Sequence, residues 1–263
     1  ALPYLEDYVS RSKKVRREEL YELSYCYYQA NQLAKAIEGF KQLSGKEDSL
    51  SQHAMYLLGD AYLKTGQKSN ARNAFLFCSS NSSNPEQKEI SKYQYAKLSY
   101  ELGYQDEALN SLGSFIADYP NSKFNTEAKE LMIDVLANTN NYKDAQAMLE
   151  SLSKPSEKAK RVYPRILFGR ASEMINDGRL SDADALLTKI LDDPYNRPVL
   201  PFTYFWKGEI GYRNNQLDTA IKYYHLYVDA GAPVSGEANP VNARYNLGYA
   251  YLRKENYPVS LTF

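Results

Sequence analysis

Residues 55–78 read MYLLGDAYLKTGQKSNARNAFLFC, and this stretch decides the fold. Met55, Leu58, Gly59 and Tyr62 recur three and four apart before Gly66, and Ala71, Phe75 and Cys78 do so after it, which is the period of two short helices. Gly59 and Ala71 are the small residues that let two such helices approach closely, with the larger residues on the faces that meet. A small residue and an alanine twelve positions later recur along the chain as Ser24/Ala36, Gly59/Ala71, Ala96/Ala108, Ala171/Ala183 and Gly208/Ala220. A period of about 35 to 40 residues implies an array of helical hairpins, so the partner surface, not an active site, is the feature to locate.

With the small residue numbered 8 and the alanine 20, Met55, Leu58, Gly59, Tyr62, Ala71, Phe75 and Cys78 occupy positions 4, 7, 8, 11, 20, 24 and 27. This pattern resembles the tetratricopeptide repeat (TPR), a helix-turn-helix unit of about 34 residues. The first unit fits through Leu20, Leu23, Ser24, Tyr27, Ala36, Phe40 and Leu43, and the third through Tyr95, Ala96, Ala108, Leu112, Phe115 and Pro120. The fourth places Ile133 where a small residue belongs, yet Leu136, Ala145, Leu149 and Leu152 keep the frame. Leu167, Ala171, Met174, Ala183, Leu187 and Ile190 carry the fifth, and Tyr204, Gly208, Ala220, Tyr224 and Tyr227 the sixth. The seventh opens with Leu247, Gly248 and Tyr251. The expectation is an all-α, right-handed α-α superhelix of about seven hairpins over 1–263, one solenoid and a segment of a longer array. Truncation is expected at both ends: Ala1, Leu5 and Tyr8 fall at positions 20, 24 and 27 of a unit lacking its first helix, and a second helix barely begins at Pro258 to Phe263. The alternative is that Ala1 to Arg11 is a capping helix.

Punctuation marks the boundaries. Asn84-Pro85-Glu86-Gln87 reads as an N-cap, a first-turn proline and a capping-box glutamine; Asn239-Pro240 opens another helix, and Ser181-Asp182-Ala183-Asp184 a third. Gly66 and Gly103 suit left-handed helix ends. Leu152 to Tyr163, Asp192 to Pro201 and Asp229 to Pro240 read as long turns between repeats.

In TPR arrays, positions 2, 5, 9 and 12 of the first helices point into a concave groove, and the resemblance transfers that expectation here. Position 5 reads Tyr21, Tyr56, Tyr93, Glu130, Phe168, Phe205 and Tyr245, six aromatics in seven. Position 12 contributes Tyr28, Tyr100 and Tyr212, and position 9 Tyr25 and Tyr249. Tyrosine suits a wet recognition surface because its ring covers apolar area while its hydroxyl bonds. The competing reading is that such rings fill the space between successive helices, as is expected of Tyr27, Tyr62, Tyr224, Tyr227 and Tyr251. Glu127, Glu130 and Asp134 make the fourth unit acidic, flanked by Lys97, Arg165, Arg213 and Arg253. The Lys-Asn-Arg clamp by which some TPR domains hold chaperone tails is missing, since those positions carry Tyr21, Tyr25, Asp60, Tyr93 and Lys97.

The joint Asp118-Tyr119-Pro120-Asn121-Ser122-Lys123-Phe124 resembles the Tyr-Pro-x-Ser joint of bacterial envelope TPR proteins, such as the lipoprotein of the β-barrel assembly machine and the Tol-Pal partner. It implies a periplasmic or outer-membrane-associated setting, the alternative being cytoplasmic. The expected function is a non-enzymatic scaffold holding a protein or peptide ligand in the Tyr-rich groove. The alternatives are glycan binding by the same rings, or a spacer that self-associates.

Balanced charge, 32 Lys+Arg against 32 Asp+Glu, gives no basis for nucleic-acid binding, and no apolar run approaches the roughly 18 residues of a helical membrane span. His53 and His225 lie in different units and form no metal cluster, and neither a phosphate loop nor a nucleophile elbow is present, so no cofactor, metal or catalytic residue is expected. Cys26 and Cys78 read as buried thiols, Asp182/Asp184 and Asp192/Asp193 as caps, and Asn81-Ser82-Ser83 as a weak glycosylation match.

Overall fold

The computed structural model describes residues 2–231 and 234–263. Among these it forms fifteen α-helices and no strand. After α1 (Leu2–Arg11), consecutive helices pair as hairpins in the register read above. The pairs are α2 (Arg17–Gln29) with α3 (Leu33–Lys41), α4 (Ser49–Lys64) with α5 (Lys68–Ser80), and α6 (Pro85–Glu101) with α7 (Gln105–Asp118); α8 (Asn125–Asn138) and α9 (Tyr142–Glu150) follow in the chain. The pairs continue with α10 (Glu157–Asn176) and α11 (Leu180–Leu191), α12 (Leu200–Arg213) and α13 (Leu217–Asp229), and α14 (Pro240–Arg253) and α15 (Tyr257–Ser260). The packing separates two compact units, Ala1–Val135 and Leu136–Phe263. Ala1, assigned to position 20, lies outside the described residues; Leu5 and Tyr8 lie on α1, where the Tyr8 hydroxyl donates to Glu19 of α2 at 2.8 Å.

Close approach of paired helices is visible at the small residues. A Cβ placed on Gly59 would stand 2.7 Å from the Phe75 ring, and one on Gly208 2.9 Å from Tyr224. Ala36, Ala71, Ala108, Ala183 and Ala220 are fully buried. Ile133, in the small-residue position of the fourth hairpin, is 1% exposed and is accommodated in the interior. Tyr62, Tyr224 and Tyr227 belong to the core as expected, and Tyr27 and Tyr251 are half-buried against it.

Every hairpin turns through one left-handed residue at position 15. Glycine fills it at Gly66, Gly103 and Gly178, whereas Asn31, Asn140, Asn215 and Glu255 hold φ of 58°, 59°, 58° and 60°. Asparagine tolerates this region through its short polar side chain; glutamate does not.

Three boundary readings are corrected. Ser156 caps α10 by accepting from the Ala159 N–H at 3.2 Å, so the turn ends there, and Leu152 to Tyr163 is not a single long joint; Pro164 lies buried inside the helix. The second helix of the fifth hairpin starts at Leu180 after Arg179, with Ser181 already inside it. Asn84 does cap α6, accepting from the Gln87 N–H at 3.1 Å, but the Gln87 side chain reaches His53 on α4. Asn239 caps α14 as read, accepting from Asn242 N–H at 2.8 Å.

The acidic pairs serve structure: Asp182 bonds Arg179, Asp184 holds the buried Lys207 ammonium at 2.8 Å, and Asp193 accepts from Tyr195 N–H. Asn81 is corrected as a glycosylation acceptor, because it is buried and its amide donates to the Asp48 carbonyl. Both cysteines are free, but the expected burial holds only for Cys78, whose thiol it pushes up to about 11; Cys26 is half-buried.

Candidate partner-binding surfaces

In the first unit, helical spacing places Tyr21 and Tyr25 one turn apart on α2, their rings 6.1 Å apart and nearly parallel. Tyr21 meets His53 on α4 at 5.8 Å, and His53 stacks on Tyr56 at 6.5 Å. Tyr56 then leans edge-on against the core ring of Phe75. The result is a continuous aromatic row across two first helices. Tyr25 is exposed, and Tyr21, His53 and Tyr56 are half-buried. Burial raises the Tyr21 and Tyr56 pKa, so both hydroxyls stay protonated and able to donate.

Beside this row the position-12 tyrosines bridge to the next first helix. Tyr28 donates to Asp60 and accepts from the Lys64 ammonium, which lies 4.4 Å over its ring. Tyr100 donates to Asp134. Both rings are half-buried. The charges flanking them are engaged in the same way: Lys97 bonds Glu127 at 2.8 Å, Arg165 bonds the Ala137 carbonyl and Asn138, Arg213 bonds Glu209, and Arg253 bonds Asn215. Such solvated pairs are worth little individually, about 0–1 kcal/mol.

Two expected groove residues are corrected to core. Tyr93 is 1% exposed, because Phe124, delivered by the Tyr-Pro joint, stacks flat on it at 4.5 Å and Phe115 closes the other side. Phe205 is 2% exposed, enclosed edge-on by Trp206, Tyr224 and Tyr227 at 5.3–6.0 Å. At position 5, Tyr21 and Tyr56 also meet second-helix rings, Phe40 and Phe75 at 6.3 Å each, yet stay half-buried, whereas Tyr93 and Phe205 are covered completely.

In the second unit, Phe168 of α10 stays half-buried and faces Phe202 of α12 at 6.2 Å. With Trp206 and the turn at 235–238, these rings line a cavity of about 500 Å³. Further along, Tyr245 and Tyr249 pair at 4.7 Å and are 61% and 44% exposed. Tyr212 is half-buried beneath the Arg253 guanidinium, 5.0 Å from its ring centre. Sequence reasoning missed His53, Phe202 and Trp206. Reading position 2 of each unit as closely as position 5 finds the first two; Trp206, at position 6, carries no such signal.

Hairpins in a fixed register, with small residues at the crossings and open aromatic faces on the first helices, define a helical-repeat protein of the kind that acts as a binding scaffold. Residues 21–76 and 91–122 each match a tetratricopeptide repeat family profile, so these stretches are tetratricopeptide repeats and the fold is that of a TPR solenoid. The chain is similar to a tetratricopeptide repeat protein from Parabacteroides merdae, with 17% identity over 94% of this chain and 91% of that one and a TM-score of 0.46. It is similar to the C-terminal part of a TPR repeat-containing protein from Cytophaga hutchinsonii, with 16% identity, coverage of 91% and 92%, and a TM-score of 0.45. The structure of Naa15/Naa10 bound to HypK-THB superposes at a TM-score of 0.56 and 16% identity over 95% of this chain and 36% of that one, a likeness of fold alone. No curated protein matches the chain.

Proposed function

We propose that the protein is a non-enzymatic scaffold whose first-helix aromatic faces hold a polypeptide partner. The observation that carries this reading is the row Tyr25–Tyr21–His53–Tyr56, four rings each in contact with the next, Tyr25 exposed and the other three half-buried. Rings that are partly ordered by their neighbours lose little entropy on binding and concentrate affinity in a few anchors, each worth about 2 kcal/mol or more when fully covered. The exposed pair Tyr245/Tyr249 offers a second surface of the same kind.

The proposed setting is a bacterial cell envelope, periplasmic or outer-membrane associated. Its support is the Tyr119-Pro120-Asn121-Ser122 joint, in which the Ser122 hydroxyl accepts from the Phe124 N–H at 3.1 Å to start the next helix. Among the described residues no helix is long and apolar enough to cross a membrane.

Peptide and glycan arrays probed with the purified chain separate the readings. Peptide binding that Tyr25→Ala and Tyr56→Ala weaken at least about tenfold, with helicity unchanged, is the expected result. Binding confined to the glycan array transfers the same rings to sugar stacking, and silence on both, with mass rising with concentration, leaves a self-associating spacer.

A further inference from the structure

We propose that the cavity between α10 and α12 is a receptor for a cationic side chain, lysine or arginine, presented by the partner polypeptide. This rests on the partner-binding reading and adds the chemistry of one contact. Three rings, Phe168, Phe202 and Trp206, line it together with Glu237, which the 235–238 turn brings to its edge. Glu237 is the one charged residue among those lining the cavity. Among the described residues no cation is paired with it, in contrast to Glu127 with Lys97 or Glu209 with Arg213.

Its placement is built. The turn that carries it is closed by the Ser235–Ala238 bridge, Ala238 is 2% exposed, and the Glu237 carbonyl accepts from the Asn242 amide at 2.8 Å and from the Asn239 N–H at 3.0 Å. Aromatic faces attract a cation through their quadrupole, and a carboxylate beside them makes the attraction selective for positive charge. The rings suit a charged head better than a sugar. Phe168 and Phe202 are inclined at 50°, so the two form walls at an angle and not one shared flat face on which a pyranose could stack. Ser172, whose hydroxyl donates to the Phe168 carbonyl at 2.9 Å, keeps its lone pairs for an ammonium or guanidinium hydrogen.

Trp206 is the single tryptophan of the chain, so its emission reports this cavity directly. The test titrates the whole protein with three probes: a short peptide containing one lysine, the same peptide with norleucine in its place, and a neutral oligosaccharide. The expected result is a saturable change in Trp206 emission with the lysine peptide, on the order of fivefold tighter than with norleucine and weakened by salt. Glu237→Gln should erase that preference, and Phe168→Leu, which removes a ring but keeps the volume, should weaken lysine binding on the order of fivefold. Glu237 is exposed, and its turn is tied through backbone groups, so circular dichroism should show Glu237→Gln folded. Equal response to norleucine, response to the oligosaccharide alone, or no response to any probe overturns the proposal. Peptide binding at the Tyr25 face measured in the same preparation shows whether the scaffold reading stands without it.

Discussion

Replacing Gly59 by alanine sets two effects of similar size against each other. In a helix interior the change is worth about 1 kcal/mol of stability, because alanine restricts the unfolded chain. At Gly59 the added methyl would lie 2.7 Å from two atoms of the Phe75 ring and 2.9 Å from a third. Phe75 is 2% exposed and braced edge-on by Tyr56, so it has no direction in which to yield. Overpacking of this kind costs about 1–3 kcal/mol, and with three ring atoms inside contact distance the upper half of that range applies. The net effect is a loss of about 1–2 kcal/mol. Gly113, on α7, is the control: its methyl would meet only the Met132 terminal carbon at 3.8 Å, an ordinary contact, so Gly113→Ala should gain about 1 kcal/mol. Urea unfolding with an unchanged m-value reads both, and at this chain length each kcal/mol moves Tm by about 2–4 °C. A Gly59→Ala midpoint raised as far as that of Gly113→Ala would refute the close-approach argument for the whole repeat.

Other substitutions separate core from surface. Tyr93→Ala and Phe205→Ala should each cost about 3–5 kcal/mol in thermal or urea unfolding, whereas Tyr245→Ala and Tyr249→Ala should stay within about 0.5 kcal/mol. Glu255→Gly relieves a left-handed glutamate and should stabilise the last hairpin by about 1 kcal/mol, seen as slower amide exchange over α14. The Glu19 carboxylate is held at about 2, first by the Arg16 N–H, then by the Arg16 side chain and the Tyr8 hydroxyl. Because its folded pKa is depressed, its stabilisation is complete above the ordinary carboxylate value of 4.5 and is lost as pH falls toward 2. Glu19→Gln should therefore flatten acid unfolding between those pH values and leave the alkaline side unchanged.

The register of the fold was legible in the sequence because it rests on local periodicity. Small residues at positions 8 and 20 set hairpin crossings wherever they occur, and even the irregular Ile133 keeps frame with Leu136 and Ala145. The left-handed turn was read at Gly66 and Gly103; Gly178 carries the same signal and was missed, whereas asparagine and glutamate at that position signal it more weakly. The Leu152 to Tyr163 joint was read too long, because Ser156 caps a helix that begins inside it and continues through Pro164, eight residues further on. The candidate surface was half legible. Spacing puts Tyr21, Tyr93 and Phe205 at one position, but which of them faces outward depends on a residue far along the chain, such as Phe124 on Tyr93, and no local pattern encodes that. The same long-range placement brings Phe168, Phe202 and the 235–238 turn around Trp206.

A photo-reactive side chain at position 25, in intact source cells, tests the central claim most directly, with position 76 on the exposed side of α5 as control. The account predicts that one polypeptide is joined from position 25 and not from position 76, and that purified Tyr21→Ala and Tyr56→Ala variants bind it at least about tenfold more weakly while remaining folded. Equal capture from both positions, or a partner whose affinity ignores those rings, would contradict it.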